Sequence, residues 1–160
     1  LTLGDYCHEY EQEVFDLVNE KRVELGLPKL VWSTSMTDMA QTRAKELSVK
    51  YSHTRPDGTN AGWENIGCGD AIPILVEDST GVHPALWNGD PKSIVASWMG
   101  SKGHYHNMMD YEVDDAGNVT GATSMAVGCY VDEEGNIWWV QRFSSRSSDR
   151  KNPTYRNPLL

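Results

Sequence analysis

The chemistry open to this sequence rests on a few polar side chains: His53, Glu64, Ser101, His104 and His106. His53 stands in YSHTRPDG, between a helical run and a Pro-Asp-Gly turn. Glu64 opens ENIGCG, and His104 and His106 fall in GHYHN behind two glycines. Positions beside turns are where a scaffold commonly presents functional groups. Two neutral imidazoles and a carboxylate are usual protein donors for a catalytic zinc, with water in the open place. The same trio could move protons without metal, because an imidazole titrates at about pH 6.5.

Local spacing leaves the alternatives open. His53 and His104 are 51 residues apart and no HExxH occurs, so His53 is either a solvated loop histidine or a cleft ligand. His104 and His106 form an H-x-H pair, which shares a face in a strand. In a helix the two rings diverge by about 200°. His8 and His83 read as surface residues. Nucleophile signals are weak: Ser52 is only a sequence neighbour of His53, and there is no G-x-S-x-G elbow. Asn118-Val119-Thr120 fits the glycosylation pattern and reads as chance. Three cysteines allow at most one disulfide. Cys129 alternates with apolar residues as a core position should, Cys7 is near a terminus, and a Cys68–Cys129 bridge is open only if their strands neighbour, with the cysteine pairing left undecided.

The elements that must position these groups follow from periodicity. Tyr10, Val14, Leu17, Val18 and Leu25 predict a helix over 9–25, stopped by Gly26 and Pro28. Residues 30–32 form an extended link. A second helix is expected over 35–49, with Met36, Met39, Ala40, Arg43, Ala44 and Leu47 on one stripe and Ser35 with Asp38 resembling a capping box. A strand begins near Trp63, and 69–89, lacking a steady period, reads as an ordered loop. Asp90-Pro91 starts a third helix through Ile94, Val95 and Trp98, ended or broken by Gly100 and Gly103. From Met125 to Ser144, two alternating runs flank DEEGN as a hairpin. This mixture predicts a mixed α/β sandwich with helices on both faces of a small sheet.

At 160 residues the chain is one domain, large enough to bury a core without covalent staples. A net charge of -9 excludes a nucleic-acid partner, which needs a basic face. The charge is uneven. Arg142, Arg146, Arg150, Lys151 and Arg156 against Asp149 give the end of the chain +4, leaving -13 for the first 141 residues. That basic end reads as a solvated terminus or as a segment docking on an acidic surface. No apolar run is long enough to span a membrane. The start at Leu1, without Met, reads as a processed product or one domain of a longer chain.

Five blocks, VFDLVNEKRVELGLPKLVW, MAQTRAKELSVKYSHTRPDG, ENIGCG, IVASWMGSKGHYHNMM and AVGCYVDEEGNIWWVQRFS, come in the order found in the CAP superfamily (cysteine-rich secretory proteins, antigen 5, pathogenesis-related proteins; SCP-like), which this sequence resembles. HTRPDG and the block around Trp98 resemble the bacterial extracellular branch. The resemblance implies a CAP domain over 9–147, with a lead at 1–8 and a basic tail at 148–160. It implies a three-layer α-β-α sandwich around a small, mainly antiparallel sheet, an extracellular location, and a monomer. It further implies a cleft in which His53, Glu64 and His104 match two histidines and the first of two acids. His53 and His104 would be the metal donors if a divalent cation, Zn²⁺ or Mg²⁺, binds. Ser101 stands where many relatives carry the second acid, which weakens such a site. Trp63 replaces a small residue and could stack on a ligand, and His106 could add a third imidazole. The expected function is an extracellular binding module for a small molecule, lipid, glycan or protein. The alternative is a metal-dependent hydrolase of peptide or cell-wall bonds with His53, Glu64 and His104 as catalytic groups.

Overall fold

A computed structural model describes residues 1–145. The basic run from Arg146 onward, and with it the boundary expected at 147, lies outside the described residues. In chain order the elements are β1 (Asp5–Tyr6), α1 (His8–Glu24), β2 (Val31–Trp32), α2 (Thr34–Leu47), β3 (Glu64–Asp70), β4 (Ile74–Asp78), β5 (Gly81–Ala85), α3 (Pro91–Met99), α4 (Lys102–Met109), β6 (Tyr111–Val113), β7 (Val119–Gly121), β8 (Ser124–Val131) and β9 (Asn136–Ser144).

The expected hairpin is the centre of the molecule. β8 and β9 pair antiparallel from Ser124↔Ser144 to Val131↔Ile137. β3 adds to the far side of β9, antiparallel, and β1 to the near side of β8, while β2 runs parallel beside the start of β8. Side-chain alternation then assigns the faces. Met125, Val127, Cys129, Val131, Ile137, Trp139 and Phe143 point into a core shared with Val14, Phe15 and Val18 of α1, Ile94 and Trp98 of α3, and Met108 of α4. The opposite face carries Tyr130, Val140 and Ile66 against Ala44 and Leu47 of α2. The architecture is the three-layer sandwich that the sequence predicts.

Several local readings change. The cap of α2 is Ser33, whose hydroxyl accepts the Met36 N–H, so the Ser35/Asp38 capping box is not formed. Residues 74–85, expected as loop, make the antiparallel ribbon β4–β5. Ile74, Leu75 and Val82 are exposed on it, and a ribbon wet on both faces has no buried side to impose alternation. The helix at 91–99 is as expected, with a true capping box between Asp90 and Ser93. β9 lies between β3 and β8, so Cys68 and Cys129 are two strands apart, about 9–10 Å at the usual strand spacing, too far for a disulfide. All three cysteines are free thiols.

Candidate functional site

His53 is set by a closed loop. Pro56-Asp57-Gly58 reverses the chain with Gly58 at φ 88°, Asp57 accepts the Thr59 N–H and hydroxyl, and Arg55 N–H donates to the Thr59 carbonyl. The returning strand brings Ala61 back to the His53 carbonyl at 2.9 Å. The chain enters β3 immediately afterwards, which puts Glu64 beneath the imidazole.

Glu64 points to the α2 face of the sheet with its side chain fully buried. His53 Nδ1 lies 3.1 Å from Glu64 Oε2. Since a carboxylate accepts, the ring donates from Nδ1, which leaves its Nε2 edge toward solvent, where over half of the side chain is exposed. Two guanidiniums hold the same carboxylate. Arg43 of α2 donates from Nε to Oε1 at 3.1 Å and from Nη2 to Oε2 at 2.8 Å, and Arg142 of β9 donates from Nη1 to Oε1 at 3.1 Å. Arg43 also donates to the Ser52 carbonyl, tying the start of the loop to the network. Around it, Glu46 accepts from Arg43 and Arg55.

Burial alone would lower the basicity of Arg43, but its bonds to Glu64 and Glu46 outweigh that and raise it. For Arg142 burial prevails and the guanidinium is lowered. Its Nε is buried without a hydrogen-bond partner among the described residues. Three guanidiniums (Arg43, Arg55, Arg142) therefore face two carboxylates (Glu46, Glu64), and the cluster is rich in donors.

α4 brings the second histidine. Burial holds His104 below its ordinary value, and the charge of His53 acts in the same sense, so the two rings share one electrostatic neighbourhood. Asn65 Nδ2, on the opposite face of β3 from Glu64, donates to the His104 carbonyl at 3.1 Å and to Gln141 Oε1 at 3.2 Å. Asn107 donates to Asn65, and Trp63 Nε1 donates to Asn107 at 3.0 Å. Trp63 thus anchors α4 to the edge of β3, beside Phe143 with ring centres 5.6 Å apart, and keeps partial exposure.

The other expected residues separate. Ser101 is the N-cap of α4 but makes no side-chain capping bond. His106 is helical, so it turns away from His104 and pairs with Asp110 on the surface at 2.8 Å. His83 pairs with Asp78 on the ribbon, and His8 with Glu11.

A catalytic zinc takes three protein donors. Here both Glu64 oxygens are already shared among Arg43, Arg142 and His53, which leaves two imidazoles. Among the described residues no three His, Cys, Asp or Glu side chains are grouped to hold a metal ion. The donor set does not fit a tightly held dication.

Arg43 and Arg142 are the site residues that motif spacing missed. Both carried a signal: Arg43 sits in the apolar stripe of α2, where a buried cation demands a carboxylate partner. Arg142 stands in a strand, though sequence reading counts it with the basic end.

The profile of the cysteine-rich secretory protein family matches residues 15–143. No curated protein matches the chain. Among the solved structures that share its fold are these two. One is an extracellular protein containing an SCP domain from Bacillus anthracis str. Ames, with 21% identity and TM-score 0.58, covering 87% of this chain. The chain spans only 41% of that protein's length. The other is an outer surface protein from Borrelia burgdorferi, with 15% identity, TM-score 0.60, and coverage of 91% of this chain and 100% of that one. With the sandwich, the ordered blocks and a profile running from α1 to β9, the chain belongs to the cysteine-rich secretory protein (CAP) family.

Proposed function

We propose that this chain is an extracellular binding module whose cleft beside His53 and His104 takes a small ligand rich in hydrogen-bond acceptors, such as a carboxylate or phosphate group. The observation that carries this is the engagement of Glu64 by Arg43, Arg142 and His53. With its carboxylate spent, the cleft offers N–H donors, two imidazoles and the rim of Trp63, and such a site favours acceptors over cations. Extracellular placement rests on the solved relatives, one described as extracellular and one as an outer surface protein. Among the described residues no helix is long and apolar enough to cross a membrane.

The hydrolase alternative would use Glu64 as base or metal ligand, and both roles require lone pairs that the arginines occupy. Calorimetry with Zn²⁺ and Mg²⁺ near neutral pH, beside NMR of the histidine rings during titration with acetate and inorganic phosphate, tests the choice. The expected result is anion-dependent movement of the His53 and His104 signals with weak metal heats. Micromolar Zn²⁺ binding that disappears in His53→Ala/His104→Ala would overturn it.

A further inference from the structure

Outside the cleft, two cysteines have been placed face to face. β1 pairs antiparallel with β8 through Asp5↔Val131 and Tyr6↔Tyr130. One more step of the same register sets Cys7 opposite Cys129, and the Cys7 N–H donates to the Cys129 carbonyl at 3.0 Å. The side chains share a face as well. Cys129 is in the core against α1 and α3, and Cys7 packs on that same cluster. The neighbouring pair Tyr6 and Tyr130 meets on the other face with ring centres 5.3 Å apart, as alternation requires.

Residues directly opposite each other in an antiparallel pair have Cα atoms about 4.5–5.5 Å apart, inside the roughly 4.4–6.8 Å that disulfides span; of the two ladder bonds one is made here, and Glu11 takes the place of the other. The backbones on both sides are fixed. Glu11, 2% exposed, accepts the Cys129 N–H at 2.9 Å through its carboxylate, and its own N–H donates to the Cys7 carbonyl at 3.1 Å.

We propose that Cys7 and Cys129 form a cross-strand disulfide when the protein meets a thiol–disulfide oxidant, such as glutathione disulfide or a disulfide oxidoreductase. Cys7 is the more accessible thiol and reacts first. Its thiolate attacks one sulfur of the oxidant's disulfide and releases the other half as a thiol. Cys129, deprotonated in turn, then attacks the Cys7 sulfur of the mixed disulfide, forms the internal bond and expels the second half as a thiol. The protein loses two electrons and two protons, and the oxidant gains them. Burial raises both thiols, Cys129 the more strongly, and nearby Glu11 adds to this. The second step is therefore the slow one. Cys68 takes no part, being two strands away from Cys129 and hydrogen-bonded to the Tyr51 side chain.

The 160-residue protein should be equilibrated in a glutathione redox buffer and its thiols counted after unfolding. The expected count falls from three to one, and a nonreduced digest yields a Cys7–Cys129 linked peptide. The ring closed spans roughly 120 residues, so the unfolding midpoint should rise by about 5–15 °C and return on adding dithiothreitol. Cys68→Ser should keep the bridge and Cys7→Ser should lose it. The wild-type digest decides the matter even if a variant folds poorly. Three surviving thiols, a glutathione adduct stalled on Cys7, or a Cys7-linked dimer in place of the internal bond would each overturn the proposal.

Discussion

At the scale of single residues, Glu64 and His104 are held in different ways. The buried Glu64 side chain accepts from four N–H donors, and removing one partner of such a buried group typically costs about 3–5 kcal/mol. His104 is half-buried, and that desolvation, with the charge of His53, favours its neutral ring. Its folded value lies below the unfolded one, so on acidification the unfolded chain takes up its proton first. Its contribution is full above about pH 6.5 and is lost as pH falls through the lowered folded value. Thermal unfolding at pH 7.5 and pH 5 should therefore show a smaller acid penalty in His104→Asn than in the wild type. An equal penalty in both would remove His104 as the group responsible. The neighbourhood of His53, Glu64 and His104 was legible through the ordered blocks that resemble the family, and turn residues alone left His53 open as a loop histidine. The engagement of Glu64 was not legible, since Arg43 and Arg142 are long-range partners that no local spacing announces.

At the scale of elements, the seat of α2 on β8 is a contact of backbone with backbone. A Cβ placed on Gly128 would lie 2.1 Å from the Ala40 carbonyl oxygen, and no rotamer change can relieve that. Gly128→Ala should push α2 outward and destabilise the protein by about 2–3 kcal/mol, read from urea unfolding. Because α2 carries Arg43, the same variant should also disturb the His53 ring signals in NMR. A stability within error of wild type would show that the layers can slide. Here the sequence was informative in proportion to burial. α1 and α3 have one wet and one dry side, and periodicity revealed them, whereas the β8–β9 hairpin, buried on both faces, was revealed by large residues alternating with smaller ones around the DEEGN turn. The ribbon β4–β5 is wet on both sides and so left no pattern. β1 and β2 are two-residue strands defined only by what they pair with. The true cap of α2 lay two residues before the expected one because Ser33 and Ser35 are equivalent as letters, and only the fold decides which hydroxyl meets an N–H.

At the scale of the whole molecule, both cores are built on the same two strands. β8 or β9 borders every other strand of the main sheet, and α1 and α2 rest on opposite faces of β8. Nothing on that sheet can melt alone, so calorimetry should show one transition with equal calorimetric and van't Hoff enthalpies, near 110 kcal/mol by the usual figure of about 0.7 kcal/mol per residue. A second, separately resolved transition would mean that the layers unfold independently. The α-β-α architecture could be read from the sequence at this scale because it needs only element types and their faces. The order β1-β8-β9-β3 could not, since it joins the two ends of the chain across more than a hundred residues.

That strand order fixes when the cleft can exist during synthesis. The His53 loop, α2 and the β3 segment leave the ribosome early, yet among the described residues β3 has no neighbour in the sheet except β9. Until residues 136–144 emerge, Glu64 lacks Arg142 and its strand lacks a ladder. The nascent chain therefore carries a nearly complete set of site residues with no site, and the last strand delivered assembles the sheet and the carboxylate's cradle in a single event.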